Sequence, residues 1–249
     1  MENRNFLLDT EWSMIHYPDK PSGFGILIIG DERHFVHSEG SFWTQNEGKF
    51  NLIKKLNEEG YTIFYSNLYG KNWGSDKAVR MAKRLYEHMM RTEILNGKIH
   101  LIAEGMGALI ALKLMHEMSN SDEASLIRTC VLINPILSLK DHLEQEREHY
   151  FFYKNLVKEL AMAFEMDESL VPASIQDHQG NFEKYRVPVK IIHVLKDSRA
   201  YKQAKRLKAL SVNSRKKELP ISICYLLPEK SKETGSHIIK FLKRHELIL

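Results

Sequence analysis

A glycine-spaced turn between a β-branched run and an apolar helix is the part of this sequence best suited to chemistry. The stretch HLIAEGMGALIALKLM covers residues 100–115, and its turn holds Glu104, Gly105 and Met106. A helix that begins directly after such a turn directs its free backbone N–H groups and the positive end of its dipole at the turn. The backbone amide of Met106 is therefore predicted to contribute to a small anion site.

A second group of chemically capable side chains lies nearer the N-terminus. His34 and His37 follow closely after Asp31 and Glu32, and imidazole and carboxylate groups suit several divalent metal ions. The spacing matches no strong zinc pattern, and a loop at the mouth of a pocket commonly carries such residues, so we predict no metal site. The sequence also has no Gly-rich phosphate loop of either nucleotide-binding kind, and we predict no cofactor.

Short apolar runs predict the strands that position the turn. They are almost continuously apolar instead of alternating, which is typical of parallel strands covered by helices on both faces. One antiparallel strand is predicted before them, ahead of the turn PDKPSG. The parallel runs are Gly25–Gly30, Tyr61–Ser66, Lys98–Ala103, Cys130–Pro135, Val189–Leu195 and Ile221–Leu227.

Helical patterns fill the intervals between these runs. The helix after Gly105 is apolar almost all round, as expected for a helix buried at the centre of a sheet. The alternation predicts one α/β domain over residues 1–249, with a mostly parallel sheet. Residues 138–186 form a long interval rich in helix formers and aromatic residues, at the carboxyl ends of the strands, which favours a helical cap over a pocket.

These features together resemble the α/β-hydrolase superfamily of serine esterases, lipases and acyl hydrolases, and the resemblance covers nearly the whole chain. The family carries G-x-S-x-G at its nucleophile elbow, a strained strand-to-helix turn that exposes the serine oxygen. This chain has AEGMG at residues 103–107, so Gly105 stands where the family has its serine. The resemblance implies an α/β-hydrolase fold whose nucleophile is absent.

The resemblance also implies positions for the other two members of a catalytic triad. Asp197 follows the predicted strand at residues 189–195, where the family has its acid, and His237 lies in the loop that opens the last helix, where the family has its general base. In an active member the histidine takes the serine proton and the aspartate orients the histidine. The chain order also matches the family, so Gly105, Asp197 and His237 are interpreted as a degenerate triad.

The loop that would form the oxyanion hole departs from the family as well. Many members have a His-Gly pair after the first parallel strand, whereas this chain has Ile29 and Gly30, followed by Asp31 and Glu32. An oxyanion hole directs donors at developing negative charge, and two carboxylates would oppose it unless they point away or meet Arg33.

A set of residues around the turn is predicted to line a ligand site. The loop after the second parallel strand usually borders the pocket in this fold, which adds two aromatic rings to the set, although packing of a surface loop explains the rings equally well. The predicted ligand-binding residues are Gly30, Asp31, Tyr69, Trp73, Glu104, Gly105 and Met106.

Two functions are consistent with these residues, and whether the chain is an enzyme stays open. Glycine cannot act as a nucleophile, so we favour a protein without covalent hydrolase activity, which binds a small acyl-type ligand or a protein partner. The alternative is slow hydrolysis of an ester, thioester or amide by a water that His237 and Asp197 activate, and such general-base assistance contributes roughly 10²–10⁴-fold. An engineered Ser-to-Gly change is disfavoured, because Ala103 and the loop after Gly30 depart from the family too.

Composition narrows the possible partners. The formal net charge is +4, from many charges of both signs, whereas nucleic-acid binding usually needs a concentrated basic face. Cys130 and Cys224 both lie in apolar runs, which indicates no disulfide framework. We predict no nucleic-acid partner and no membrane span. We also predict a cytoplasmic location, because the N-terminal residues carry charges where a signal peptide would be apolar. The oligomeric state is not predicted.

Overall fold

The computed structural model describes residues 2–119, 126–175, 187–195, 204–216 and 218–246. Within these residues the strands form one large sheet and a two-stranded hairpin. The strands are β1 (Glu2–Leu8), β2 (Glu11–Tyr17), β3 (Gly25–Ile29), β4 (Val36–His37), β5 (Gly40–Ser41), β6 (Thr62–Ser66), β7 (Ile99–Glu104), β8 (Ile127–Ile133), β9 (Val189–Val194) and β10 (Ile221–Leu226).

The large sheet has eight strands in the order β1-β2-β6-β3-β7-β8-β9-β10. From β6 to β10 every neighbouring pair is parallel, so all six predicted parallel strands are confirmed. β2 pairs antiparallel with β6, also as predicted. β1 was not predicted; it pairs antiparallel with β2 at the edge of the sheet, where its polar side chains stay largely exposed and no apolar pattern is needed.

Helices cover both faces of the sheet. They are α1 (Phe42–Gln45), α2 (Glu47–Glu58), α3 (Asp76–Thr92), α4 (Gly107–Ser119), α5 (Leu139–Glu146), α6 (Tyr150–Phe164), α7 (Val171–Ser174), α8 (Ala204–Lys216) and α9 (Thr234–Arg244), with a 3₁₀ helix at Pro228–Glu233. Residues of α3, α4 and α8 belong to the core on one face, and residues of α2 and α9 belong to the core on the other face. β3 shows the alternation directly, because Leu27 packs into the first core and Ile28 into the second.

The helix after the turn is buried, as its composition predicts. Ala108, Ile110, Ala111, Leu114 and Met115 have no exposed surface. They pack against β3, β7 and β8, the strands at the middle of the sheet. The amino end of α4 is thereby held directly above the centre of the sheet, where the turn at Gly105 must lie.

The predicted cap region contains three helices, α5, α6 and α7, between β8 and β9. Their apolar side chains form a third cluster with Trp73 and Met106, so the cap packs directly onto the turn region. Residues 176–186 of the predicted cap lie outside the described residues. The extent of the cap, 138–186, therefore stays a prediction.

Cys130 and Cys224 are both free thiols, on β8 and β10 respectively. In the described part of the chain, none of the helices is both long and apolar enough to cross a bilayer.

Gly107, the first residue of α4, lets this helix approach β3 closely. A Cβ built at Gly107 would lie 2.6 Å from the carbonyl oxygens of Ile29 and of Gly30. We expect Gly107→Ala to lower the free energy of unfolding by about 1–3 kcal/mol, because backbone atoms must move to admit the methyl group. Urea unfolding followed by circular dichroism measures this change.

Gly97→Ala is the matched control. A Cβ at Gly97 has no heavy atom within 4 Å, so we expect the free energy of unfolding to change by no more than about 0.5 kcal/mol. Equal effects of the two substitutions would contradict the close approach of α4 to β3.

Candidate functional site

The turn between β7 and α4 is the centre of the candidate site. Gly105 has a φ of +53°, in the left-handed region that favours glycine. Its N–H donates to the carbonyl oxygen of Ile133 at 3.0 Å, and its own carbonyl accepts from the N–H of Ile136 at 2.9 Å. These two hydrogen bonds tie the turn to the carboxyl end of the neighbouring strand β8.

The side chain of Asp31 occupies the space that any side chain at residue 105 would need. A Cβ built at Gly105 would lie 2.1 Å from Cγ and Oδ1 of Asp31 and 2.4 Å from its Oδ2. Contacts under 3.0 Å are essentially never made by real Cβ atoms. The Asp31 carboxylate and a nucleophilic side chain at residue 105 therefore exclude each other.

The same carboxylate binds the amide that follows the turn. Oδ1 of Asp31 accepts a hydrogen bond from the backbone N–H of Met106 at 2.9 Å. This amide lies at the amino end of α4, where the helix dipole favours negative charge, and a hydrogen bond to a charged group contributes roughly 1.5–3 kcal/mol. The anion site predicted at this turn thus holds a carboxylate of the chain itself.

His34 holds the backbone that carries Asp31. The backbone N–H of His34 donates to the carbonyl oxygen of Asp31 at 2.8 Å. The ring Nε2 donates to the carbonyl oxygen of Ser66 at 2.9 Å. Its ring covers Gly30, where a Cβ would lie 2.3 Å from Cγ of the imidazole. Burial lowers the pKa of His34 to about 4, so the ring is neutral at pH 7.

Among the described residues, no cluster of three or more His, Cys, Asp or Glu is arranged to hold a metal ion.

Glu104 lies next to Gly105, but its side chain interacts with α2 on the other face of the sheet. Its carboxylate pairs with the ammonium of Lys49 on α2. The same ammonium is 5.0 Å from the ring centroid of Trp43. Glu104 is therefore neutralised by the helix on one face of the sheet, whereas Asp31 is bound by the helix on the other.

Trp73 joins the loop after β6 to the cap. Its indole N–H donates to Oε2 of Glu159 on α6 at 3.0 Å, and its ring stacks on His142 of α5 with centroids 5.6 Å apart. The ring is 3% exposed and shares a cluster with Met106. Its backbone has a φ of +47°, an uncommon conformation that is stabilised by the packing of the ring against the cap. Trp73 thus belongs to the cluster that packs the cap against the turn, and its predicted ligand-binding role stays a prediction.

Tyr69, from the same loop, is separated from this cluster. Its backbone N–H donates to the Glu11 carboxylate at 2.9 Å, and Oε2 of Glu11 also accepts from the Asn67 amide. Its ring packs against the core on the α3–α4 face, and the ring centroid lies 4.4 Å from Nζ of Lys77.

The structure thus places Gly30, Asp31, Glu104, Gly105, Met106 and Trp73 around the turn, whereas the Tyr69 ring belongs to a different cluster. Glu11, Lys49, His142 and Glu159 were not predicted, because single polar residues on a strand or helix carry no pattern that reveals their partners.

His237 lies inside α9 instead of in the loop before it. The loop after β10 is the 3₁₀ helix Pro228–Glu233, and α9 begins at Thr234. Gly235 does not interrupt α9, because it is buried where α9 packs on α2 and its Cβ position lies 3.4 Å from Leu52. Nε2 of His237 is 4.0 Å from Oε2 of Glu233. Asp197 lies outside the described residues, so its pairing with His237 stays a prediction.

Comparison with known proteins gives likenesses of structure only. No protein-family model and no curated protein sequence matches the chain. An esterase from Pyrococcus furiosus is similar with a TM-score of 0.64 and 16% identity, over 98% of this chain and 91% of that one. A carboxylesterase structure from Nitrososphaera gargenis is similar with a TM-score of 0.60 and 14% identity, over 99% and 100%. A puromycin-hydrolyzing peptidase from Mycobacterium tuberculosis has a TM-score of 0.68 and 11% identity, over 96% of this chain and 38% of the peptidase.

We expect Gly105→Ala to be more destabilising than Gly70→Ala. Both glycines have left-handed φ values, +53° and +65°, but no heavy atom lies within 4 Å of a Cβ at Gly70. A left-handed residue with a side chain costs about 1–2 kcal/mol, and Gly105→Ala must in addition displace Asp31. Urea unfolding of both variants measures the difference in the free energy of unfolding.

Asp31→Ala should reduce the cost of Gly105→Ala towards that of Gly70→Ala. The four-variant cycle should show a coupling of about 1–3 kcal/mol, as is usual for residues in contact. Additive effects of Asp31→Ala and Gly105→Ala would mean that the Asp31 carboxylate does not occupy the space at residue 105.

The neutral His34 should make the protein acid-sensitive. Its pKa is about 4 in the folded state, against 6.5 for an imidazole in water, so the unfolded state binds more protons between these two values. The stabilisation is fully present above pH 6.5 and is lost as the pH falls towards 4; at roughly 1.4 kcal/mol per pKa unit it amounts to about 3 kcal/mol. His34→Gln, which keeps a donor for Ser66, should flatten the dependence of unfolding free energy on pH in this window. An unchanged slope would contradict the burial of a neutral imidazole.

Proposed function

We propose that this chain, which has the α/β-hydrolase fold, acts by binding instead of by covalent acyl transfer. The ligand that we propose is a small, neutral acyl-type compound held between the turn at Gly105 and the cap. The observation that carries this proposal is the Asp31 carboxylate, which lies where a Cβ at residue 105 would be and accepts the Met106 N–H.

Covalent catalysis lacks its reacting atom in this arrangement. Gly105 has no side chain, and the geometry leaves no room for one while Asp31 is in place. Ser41, the last residue of β5, is fully buried and accepts the Thr44 N–H as the N-cap of α1. These observations support the absence of a serine mechanism at this turn.

Electrostatics oppose the same chemistry. In hydrolases of this fold the amide after the nucleophile stabilises the oxyanion of the intermediate. Here that amide donates to a carboxylate, and an oxyanion about 4 Å from the carboxylate would be repelled by about 4 kcal/mol at an effective dielectric of 20. This energy corresponds to about a thousandfold in rate. For the same reason we expect the turn to disfavour anionic ligands and to accept neutral ones.

The names of similar structures support the proposed ligand class. The Pyrococcus furiosus protein is an esterase, and the Nitrososphaera gargenis structure is that of a carboxylesterase. Compounds with an acyl group are therefore the first to screen. The Trp73 indole, which joins the turn to the cap, gives a fluorescence signal at the proposed position.

The alternative, slow hydrolysis through His237 and Asp197, has weaker support. His237 lies on α9 and lines a groove between this helix and the first residues of β9 and β10. These residues stand at the end of the parallel sheet opposite to the turn at Gly105. A water positioned by His237 in that groove would be remote from the Met106 amide.

The first test is hydrolysis of short and long p-nitrophenyl esters. We expect the native protein to match the buffer rate, because no nucleophile is present and the amide is occupied. Gly105→Ser alone and Gly105→Ser combined with Asp31→Ala should both remain near that rate, because His237, the predicted general base, lines a groove at the opposite end of the sheet and a serine without an adjacent base is a weak nucleophile. Circular dichroism confirms that each variant is folded.

Two outcomes would overturn this proposal. Native turnover that is lost in His237→Ala would establish the water-based alternative. Native turnover that survives in His237→Ala but is lost in Asp31→Ala would make Asp31 itself a catalytic group. For the binding half, ethyl butyrate and ethyl octanoate should change the fluorescence of the native protein and not that of Trp73→Phe; no response to any neutral ester would contradict the acyl ligand.

A further inference from the structure

A groove lies at the end of the sheet opposite to the turn. It has a volume of about 440 Å³ and runs between α9 and the first residues of β9 and β10. The turn at Gly105 follows the last residue of β7, and the strands are parallel, so the two places are at opposite ends. The volume falls in the range of about 300–1,000 Å³ that is usual for small-molecule sites.

The wall of this groove is a basic strip on α9. His237, Lys240 and Arg244 follow one another at intervals of three and four residues, so they lie on one side of the helix. Phe241 lies between the two permanent cations and contributes an apolar surface. Two like charges four residues apart destabilise an isolated helix by about 0.2–0.5 kcal/mol, so the strip is not explained by the stability of α9.

Lys190 adds a charge from the floor of the groove. Lys190 lies on the same face of β9 as Ile192 and Val194, which are buried in the core beneath α9. Its ammonium lies 5.7 Å from the ring centroid of Phe241, an arrangement that holds the charge inside the groove. The dipole of α9 favours Arg244 in the last turn, but it does not explain a lysine on an otherwise apolar strand face.

Acidic groups are distributed away from these cations. No Asp or Glu is among the residues that line the groove. Glu233 approaches His237 at one end, and Glu59 pairs with Lys243, which is not a lining residue. The ion pairs in the described part of the chain do not include Lys190, Lys240 or Arg244. The positive charges of these three side chains are therefore not neutralised by an acidic side chain of the described residues.

We propose that this groove binds a small multivalent oxyanion, such as a phosphate ester or a polycarboxylate. Arg244 supplies a planar fork of donors that matches two oxygens of one anionic group, and the ammonium groups of Lys190 and Lys240 supply compact point charges. The ring of Phe241 and the neighbouring Pro220 accept the apolar part of an organic anion. This site is independent of the turn at Gly105 and of the function proposed for that turn.

Isothermal titration of the full chain with pyrophosphate and with citrate tests the proposal, at constant ionic strength set with KCl. We expect saturable binding of at least one of the two anions. Lys240→Ala and Lys190→Met should each weaken that binding about tenfold, the loss of one close charge–charge contact. Lys190→Met keeps the unbranched stem against Phe241, and Lys240 is exposed, so both variants should retain the native unfolding midpoint.

Lys83→Ala on α3 is the matched control, because it removes an exposed cation from the opposite face of the sheet. Its affinity for the anion should equal that of the native protein. Tighter binding of pyrophosphate would assign a phosphorylated ligand, and tighter binding of citrate a polycarboxylate. The proposal is overturned if neither anion binds, if both groove variants bind like the native protein, or if Lys83→Ala weakens binding equally.

Discussion

The hydrogen bond from the Met106 amide to the Asp31 carboxylate organises the centre of this protein. It places a full negative charge at the amino end of a buried helix, where the helix dipole stabilises that charge. The same carboxylate lies where a Cβ at residue 105 would be, so a side chain there requires Asp31 to move. One interaction therefore links the glycine at residue 105 to the carboxylate that the turn presents.

The surrounding structure holds this interaction in place from three sides. Gly107 allows α4 to approach the end of β3 closely, which brings the Met106 amide next to the loop that carries Asp31. His34 fixes that loop through the Asp31 carbonyl and the Ser66 carbonyl. Trp73 lies against Met106 under the cap and hydrogen-bonds to Glu159 on α6.

Charge is separated between the two ends of the sheet. At the carboxyl ends of the strands, Asp31 is bound by an amide and Glu104 by Lys49, so that end presents carboxylates. At the amino ends of β9 and β10, Lys190 and the strip on α9 present cations with no acidic lining residue. Like charges repel and opposite charges attract over several ångströms, which is why we propose a neutral ligand at the turn and an anionic ligand in the groove.

The sequence by itself determined the class of fold and the position of the turn. Continuous apolar runs separated by helical patterns specify six parallel strands, because burial on both faces leaves no alternation, and all six are present. The all-apolar helix after Gly105 likewise requires burial at the centre of the sheet. These features are local and periodic, so they can be recognised without knowledge of partners.

Only the tertiary structure decided what the turn contains and where the remaining predicted residues lie. Asp31 and Met106 are far apart in the chain, and no pattern in the sequence shows that a carboxylate from one loop enters the space left by a missing side chain in another. His237 was expected in the loop that opens the last helix, but it lies inside α9, where Gly235 is accommodated because Leu52 packs against it. Lys190 and Lys240 meet across a groove only after β9 and α9 have packed. Such contacts depend on close packing between segments distant in sequence, which composition and periodicity do not encode.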